Sequence, residues 1–78
     1  MQTVTIYTTP TCHFCRATKE FFNKNNVVFT EYDVIADEAR RTEMLERSGQ
    51  LGVPVIFIGS QMIIGFNEKR LKDLLGIS

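Results

Sequence analysis

The first third of this sequence predicts a strand, a helix and a second strand in succession, and this order limits how the strands can pair. Residues 1–8 alternate apolar and polar side chains, as a strand does. Apolar residues at helical spacing then run from Cys12 to an asparagine pair at 25–26, and residues 27–34 are rich in β-branched and aromatic types. Because a whole helix separates the strands, we expect them to be parallel.

The rest of the chain predicts a second helix, a hairpin and a closing helix. The expected elements are a helix over 37–48, strands over 53–58 and 61–64, and a helix from an Asn67 cap to Gly76. The strand over 53–58 is almost continuously apolar, which is typical of a strand covered on both faces. Gly59 and Ser60 supply the hairpin turn, so the following strand should run antiparallel.

Two expectations concern which helix faces are buried. In the first helix, Phe14, Ala17 and Phe21 fall on one stripe and are expected to pack inward. The second helix is the most polar and offers only four apolar side chains to bury, namely Ala36, Ala39, Met44 and Leu45. Its arginines are expected to face solvent, paired four residues apart as Asp37–Arg41 and Glu43–Arg47.

Length and charge exclude several classes of protein. The 78 residues, 44% of them hydrophobic, suffice for one domain over 1–78. Nine basic and nine acidic side chains give a net charge of zero, so no basic surface favours nucleic acid. No apolar run approaches the roughly 18 residues of a membrane span, and the amino-terminal segment lacks signal-peptide character. We therefore expect a soluble, cytoplasmic monomer that binds neither nucleic acid nor membrane.

The two cysteines, Cys12 and Cys15, have a spacing that suits reversible disulfide formation. At the start of a helix, a separation of three residues puts their α-carbons about 5 Å apart. Disulfides need roughly 4.4 to 6.8 Å. As a structural staple the bond is weak, because the closed loop is so short that it contributes only about 2 kcal/mol. The pair can thus open and close without moving the backbone, as thiol–disulfide catalysis requires.

Position in the helix gives the two thiols different expected roles. Cys12 lies where the free N–H groups and the helix dipole stabilise a thiolate, so we expect it to be the nucleophile. Cys15, one turn deeper, is expected to resolve the mixed disulfide. His13 either adds positive charge beside the thiolate or is an exposed spacer. Arg16 either steadies the thiolate and binds a substrate carboxylate or is merely solvated.

The cysteines also admit interpretations from other classes. A zinc site needs four ligands, and the neighbourhood offers only Cys12, Cys15 and His13, so we predict no metal ligands within the chain. An iron–sulfur cluster bridged between two protomers, with glutathione as extra ligand, is a metal-handling alternative. A redox-inert binding domain is a third, although it would not need both thiols at helical spacing.

Four segments of the sequence resemble a glutaredoxin, over essentially the whole chain. They are Ile6-Tyr7-Thr8, Cys12-His13-Phe14-Cys15, Val53-Pro54 and Gly65-Phe66, in this order. The resemblance implies an α/β, thioredoxin-like fold in which a four-stranded mixed sheet is flanked by three helices, in the order β-α-β-α-β-β-α. It also implies a disulfide oxidoreductase with Cys12 as nucleophile and Cys15 as resolving thiol.

The resemblance further implies a binding surface for glutathione as co-substrate, with no tightly bound cofactor. It implies a cis bond between Val53 and Pro54, which leaves the Val53 N–H and C=O free to pair with an extended substrate. The remaining implied contacts are Tyr7 at the border of the site, His13 and Arg16 beside the thiolate, and Gly65, Phe66 and Asn67 at the ends of the tripeptide.

The sequence departs from the glutathione pattern at several positions. Thr9 stands where many glutaredoxins have a lysine, Gly52 replaces the threonine of Thr-Val-Pro, and Ile64 replaces the first of two glycines. The Gly-Phe at 65–66 also resembles the NrdH-type redoxins. That resemblance implies thioredoxin reductase as an alternative electron donor and ribonucleotide reductase as a candidate among disulfide-containing protein substrates.

Overall fold

Four strands and three helices follow one another in the predicted order. The computed structural model describes residues 3–77. Its elements are β1 (Val4–Thr8), α1 (His13–Lys24), β2 (Thr30–Asp33), α2 (Glu38–Ser48), β3 (Val55–Ile58), β4 (Gln61–Ile64) and α3 (Glu68–Leu75). The predicted first strand began at Met1, and its first two residues lie outside the described part of the chain.

The sheet is mixed and has the strand order β2-β1-β3-β4. β1 and β2 are parallel, as the intervening helix predicted, while β3 is antiparallel to both β1 and β4. Tyr7 is opposite Val55, which is in turn opposite Ile64. The ends of β1 and β4 and the start of β3 therefore meet at one edge of the sheet, which we call the carboxyl edge.

The second strand is shorter than the sequence predicted, because the chain leaving α1 folds back before it pairs. Asn26 has a left-handed φ of 57°, and the Val27 N–H donates to the Phe22 carbonyl at 2.8 Å. Pairing with β1 begins only at Thr30. Val28 is left 84% exposed in this connection. β3 likewise begins two residues late, since Pro54 has no N–H to donate to a ladder.

Both faces of the sheet are covered, as the apolar β3 segment predicted. Under α1 and α3 lies a cluster of buried residues comprising Val4, Ile6, Phe21, Phe22, Ile56, Ile58, Ile63 and Leu71. The α2 side holds a smaller one comprising Tyr7, Val34, Met44, Val55 and Phe57. The central strands β1 and β3 contribute to both clusters, so the carboxyl edge rests on a rigid base.

Two arginines, in addition to Met44, join α2 to the sheet. Of the four apolar residues expected to be buried, only Met44 is, and Ala36, Ala39 and Leu45 are exposed. The Arg40 guanidinium lies 4.0 Å from the centre of the Tyr32 ring, and that of Arg47 lies 3.7 Å from the Phe57 ring centre. Arginine stems cover apolar surface while their planar heads stack on aromatic rings, so these charges are packing groups.

The expected ion pairs of α2 also differ from those observed. Asp37 caps the helix, its Oδ1 accepting from the Arg40 N–H at 3.1 Å. Glu43 pairs with Arg40 at 2.8 Å, three residues away, because Arg47 is held on the sheet. Both expected pairs were therefore wrong, and of the charges they contained only Glu43 forms an ion pair within residues 3–77, with Arg40.

In α1 the predicted stripe is correct except at its first turn. Phe21 and Phe22 are buried and Ala17 is half-buried, but Phe14 is 58% exposed. Phe14 lies on the same stripe as Phe21 but almost two turns earlier, in the first turn of the helix. Apolar spacing alone does not reveal which turns of a helix are covered.

Candidate functional site

The three helices start with the same capping geometry, but in α1 a sulfur replaces the usual oxygen. Asp37 and Asn67 cap α2 and α3, each side chain accepting from the N–H of the third helical residue at 3.1 Å. In α1 the acceptor is Cys12 Sγ, 3.1 Å from the Cys15 N. α2 and α3 have an acidic residue in the first turn and α1 has none. No carboxylate in the first turn therefore offsets the positive end of α1, which faces the Cys12 sulfur.

Backbone groups from two loops converge on Cys12, which is half-buried at the carboxyl edge. Its N–H donates to the Thr9 carbonyl at 3.3 Å, in the loop that follows β1. Its thiol donates to the Val53 carbonyl at 3.8 Å, in the loop that precedes β3. The sulfur therefore lies between the two loops and remains accessible to an incoming disulfide.

Cys15 is in a contrasting environment. Its side chain is only 1% exposed, and both cysteines are free thiols in the structure. Burial raises the pKa of the Cys15 thiol to about 12, and its hydrogen bond with Cys12 adds to the rise, while the Thr9 backbone and the Lys19 charge oppose it. Cys15 is thus shielded from external disulfides and adjacent to the Cys12 sulfur.

The loop before β3 has the cis peptide bond between Val53 and Pro54 that the resemblance implied. The Pro54 carbonyl accepts from the Gly65 N–H at 2.8 Å, which ties this loop to the end of β4. Gly65 has a φ of +85°, a left-handed value that other residues rarely adopt. One expectation is corrected, since the Val53 carbonyl is not free but accepts from the Cys12 thiol.

Sequence reasoning missed Gln50, whose side-chain amide holds the same loop. Its Oε1 accepts from the Gly52 N–H at 2.6 Å, and its Nε2 donates to the Gly52 carbonyl at 3.1 Å. A Cβ at position 52 would lie 2.6 Å from that Oε1, so the amide fits because residue 52 is glycine. The signal was the pair itself, a glutamine two residues before a glycine that replaces the family threonine.

Tyr7 does not border the site as expected. Its side chain is 0% exposed, and its hydroxyl accepts from the Arg47 guanidinium at 3.0 Å. Burial raises the pKa of the Tyr7 hydroxyl, against the opposing effect of Arg47. Its ring packs 5.7 Å from that of Tyr32 and 5.9 Å from that of Phe57, between centroids. Tyr7 supports the sheet beneath the site, and the assignment as a ligand contact is corrected.

The other predicted binding residues divide between surface and core. His13 and Arg16 are exposed in the first turn of α1, the His13 ring lying 5.5 Å from that of Phe14. Phe66 is half-buried, with its ring 6.1 Å from that of Phe21. The Asn67 side chain is occupied as the cap of α3. Phe66 and Asn67 therefore offer a ligand mainly their backbone.

Residues 3–77 lack two features, a metal-binding cluster and a membrane-spanning helix. Within this range, no three or more His, Cys, Asp and Glu side chains form a group that could hold a metal ion. No helix in the same range is long and apolar enough to cross a membrane.

Comparison with known sequences finds the same relationship along nearly the whole chain. The family model described as glutaredoxin matches residues 4–63. An uncharacterized glutaredoxin-like 8.6 kDa protein in the rubredoxin operon of Clostridium pasteurianum is 42% identical over 72 residues, which cover 92% of this chain and 96% of that protein. Glutaredoxin 3 of Escherichia coli (strain K12) is 38% identical over 76 residues, covering 97% and 92%.

Solved structures also resemble this chain over nearly its whole length. A variant of the thioredoxin-like protein BC3987 superposes with a TM-score of 0.92 at 33% identity, covering 100% of both chains. The glutaredoxin-like protein NrdH-redoxin from Escherichia coli superposes with a TM-score of 0.80 at 28% identity, covering 91% of this chain and 92% of that one. The thioredoxin-like arrangement of four strands and three helices is therefore shared with both.

Proposed function

We propose, from the premise that this chain belongs to the glutaredoxin family, that Cys12 attacks disulfides and Cys15 completes the exchange. Family membership and the close cysteine pair make the protein a thiol–disulfide redox protein. The observation that carries the assignment of roles is the contrast between the two sulfurs. Cys12 is accessible and caps a helix that lacks acidic residues in its first turn, whereas Cys15 is 1% exposed.

The reaction then has two steps. The Cys12 thiolate attacks a substrate disulfide, so that a mixed disulfide forms and one substrate sulfur leaves as a thiolate. Cys15, as a thiolate, attacks the Cys12 sulfur and expels the second substrate thiolate. The substrate gains two electrons, and the protein is left with a Cys12–Cys15 disulfide that an external donor reduces.

Glutathione is the first candidate for both mixed-disulfide substrate and electron donor. The Val53 carbonyl accepts from the Cys12 thiol, and the Gly65 N–H bonds to the neighbouring Pro54 carbonyl. These contacts support a binding surface made by the backbone of Val53, Gly65, Phe66 and Asn67, with Arg16, exposed one turn from Cys12, to meet a carboxylate. Backbone pairing of an extended peptide needs no particular side chain, which suits the departures at Thr9 and Gly52. No tightly bound cofactor enters this proposal.

Thioredoxin reductase is the second candidate donor. Its support is the similarity to NrdH-redoxin and the threonine at position 9, where many glutaredoxins have a lysine. A hydrogen bond to a charged group typically contributes about 1.5 to 3 kcal/mol, so its loss weakens glutathione binding by roughly ten- to a hundredfold. Protein disulfides, including that of ribonucleotide reductase, would then be the substrates of a monomeric, cytoplasmic electron carrier.

One experiment separates the two donors. The oxidised protein is mixed with NADPH and either glutathione plus glutathione reductase or thioredoxin reductase alone, and NADPH consumption is followed. The Cys12→Ser variant serves as the control without an active disulfide. Faster consumption in one mixture identifies the donor, whereas no consumption above the control in either contradicts both assignments.

A further inference from the structure

A hydrogen-bonded bridge just beneath the two cysteines is not used by the reaction described above. Lys19 Nζ lies 2.8 Å from Glu31 Oε2, and the same oxygen accepts from Thr8 Oγ1 at 2.7 Å. Thr8 is only 1% exposed and is the last residue of β1. The bridge thus joins α1, β1 and β2 at the edge of the sheet where the active helix begins.

Lys19 is placed one turn beyond the resolving thiol. Residues four apart on a helix are neighbours, with Cβ atoms about 5 to 6 Å apart, so Lys19 and Cys15 share one side of α1. Glu31 holds the lysine ammonium at 2.8 Å over β2, on the side of α1 that carries buried Cys15, and the Lys19 charge acts on the Cys15 thiol. The ammonium is therefore restrained near Cys15 rather than free to extend into solvent.

The resolving step needs this charge because Cys15 must lose a proton in a buried position. Burial holds the pKa of its thiol near 12, so the thiolate is rare at neutral pH. The groups that act on Cys15 are the Cys12 thiol, the Thr9 backbone and the Lys19 ammonium. Those that act on Glu31 are Lys19, Thr8 and Asp33. Of the groups just named, Lys19 is the one with a positive charge, so it is the one whose charge favours a thiolate at Cys15.

We propose that Lys19 is a positioning residue whose ammonium, anchored by Glu31, favours the Cys15 thiolate during the resolving step. The inference rests on the proposed role of Cys15. The Cys15 proton passes to water, the Cys15 thiolate forms a bond to the Cys12 sulfur, and the bond from Cys12 to the substrate sulfur breaks. The substrate leaves as a thiolate, so charge and electrons balance.

The test uses one equivalent of 5,5′-dithiobis(2-nitrobenzoate) and follows thionitrobenzoate release by stopped flow. The first phase reports attack by Cys12, and the second reports attack by Cys15 on the mixed disulfide. In Lys19→Met the second phase should slow by roughly three- to tenfold, as expected for loss of a nearby, partly screened charge. Its pH profile should move to higher pH, while the first phase stays the same. Lys24→Met, at the exposed end of α1, should change neither phase.

Glu31→Gln distinguishes an electrostatic role from a merely structural one. Both this variant and Lys19→Met break the ion pair, but Glu31→Gln leaves the positive charge in place. A glutamine oxygen can still accept from Lys19 and hold the ammonium, so the second phase should slow much less in Glu31→Gln than in Lys19→Met, and Lys19→Arg should restore it. Equal slowing in Glu31→Gln and Lys19→Met would mean that the bridge acts only as a structural link, which contradicts the proposal.

Each failure points to a different claim. If the wild-type protein releases only one thionitrobenzoate, Cys15 does not resolve and the proposed function fails. If it releases two and Lys19→Met leaves the second phase unchanged, only the role of Lys19 fails. Should Lys19→Met not fold, the wild-type protein supplies the test, because raising the salt concentration should slow the second phase by screening the charge. An unchanged second phase would then overturn the inference.

Discussion

The backbone N–H of Cys15 donates a hydrogen bond to Cys12 Sγ across 3.1 Å. This contact makes the resolving residue part of the environment that stabilises the nucleophile, since a thiolate accepts such a bond more strongly than a thiol. It also means that the two side chains are already adjacent in the dithiol form. The second step of exchange therefore needs no rearrangement of α1.

Replacing each cysteine by serine should separate the two steps. Cys12→Ser should lose all disulfide exchange but retain its stability, because serine is a preferred helix cap. Cys15→Ser should still react at Cys12 and stop at the mixed disulfide. Intact-mass measurement after addition of glutathione disulfide checks both, with no adduct expected for the first variant and one for the second. A stable adduct on Cys12→Ser would reverse the assignment.

Gly65 should be needed both for stability and for activity. Its φ is +85° and its N–H bonds to the Pro54 carbonyl beside Cys12. Gly65→Ala should lower the free energy of unfolding by roughly 1 to 2 kcal/mol, the cost of a left-handed conformation with a side chain. Gly49→Ala, at the end of α2 with a φ of 75°, is the matched control. Urea unfolding should show similar losses, whereas only Gly65→Ala should slow disulfide reduction.

The Gln50 amide should control the loop that carries Val53. Gln50→Ala removes two hydrogen bonds to the Gly52 backbone, worth about 1 kcal/mol at this exposed position. The rate of disulfide reduction should fall by roughly threefold or more as the loop loosens. A threefold change corresponds to about 0.6 kcal/mol in the activation free energy. Gln61→Ala, at the exposed start of β4, is the control. Equal rates in both variants would show that the loop needs no such restraint.

Gly52→Thr provides an independent check on the same contact. The new Cβ would lie 2.6 Å from Gln50 Oε1 and must displace it. Gly52→Thr should therefore reduce the rate about as much as Gln50→Ala does. In the double variant the two effects should not add, because each acts by removing the same pair of bonds. Full additivity would contradict the claim that both substitutions act by removing the hydrogen bonds between the Gln50 amide and the Gly52 backbone.

Arg47 should stabilise the fold even though it is charged and near the surface. Its guanidinium stacks on Phe57 and donates to the buried Tyr7 hydroxyl. Arg47→Met should lower the free energy of unfolding by about 1 to 3 kcal/mol, since the Tyr7 oxygen is left without its donor. Arg41→Met, on the exposed side of α2, should change it by less than about 0.5 kcal/mol. Thermal unfolding measures both.

The sequence was sufficient to predict the element order, the parallel pairing of the first two strands and both caps of α3. Those features depend on local spacing, as when Asn67 and Gly76 delimit α3. The burial of Tyr7 and the packing role of Arg47 were not predictable in this way. They arise because α2 covers the aromatic face of the sheet, a long-range contact that helical spacing does not encode.

The residues of the candidate site likewise divide into those that the sequence predicted and those that it did not. Cys12 and Cys15 follow from their spacing, and Val53-Pro54 and Gly65 from the resemblance. The Lys19–Glu31 bridge depends on which helix and strand become neighbours, and the Gln50 contact depends on the conformation of the loop before β3. Neither contact leaves a periodic trace in the sequence.

The most direct measurement of the central claim is alkylation of the reduced protein by limiting iodoacetamide between pH 5 and 9, with the modified cysteine located by peptide mass spectrometry. Cys12 should be labelled first at every pH, because it is accessible and its sulfur caps the positive end of α1. Cys15, buried and with a pKa of about 12, should stay unmodified. Preferential labelling of Cys15 would contradict the assignment of Cys12 as the nucleophile.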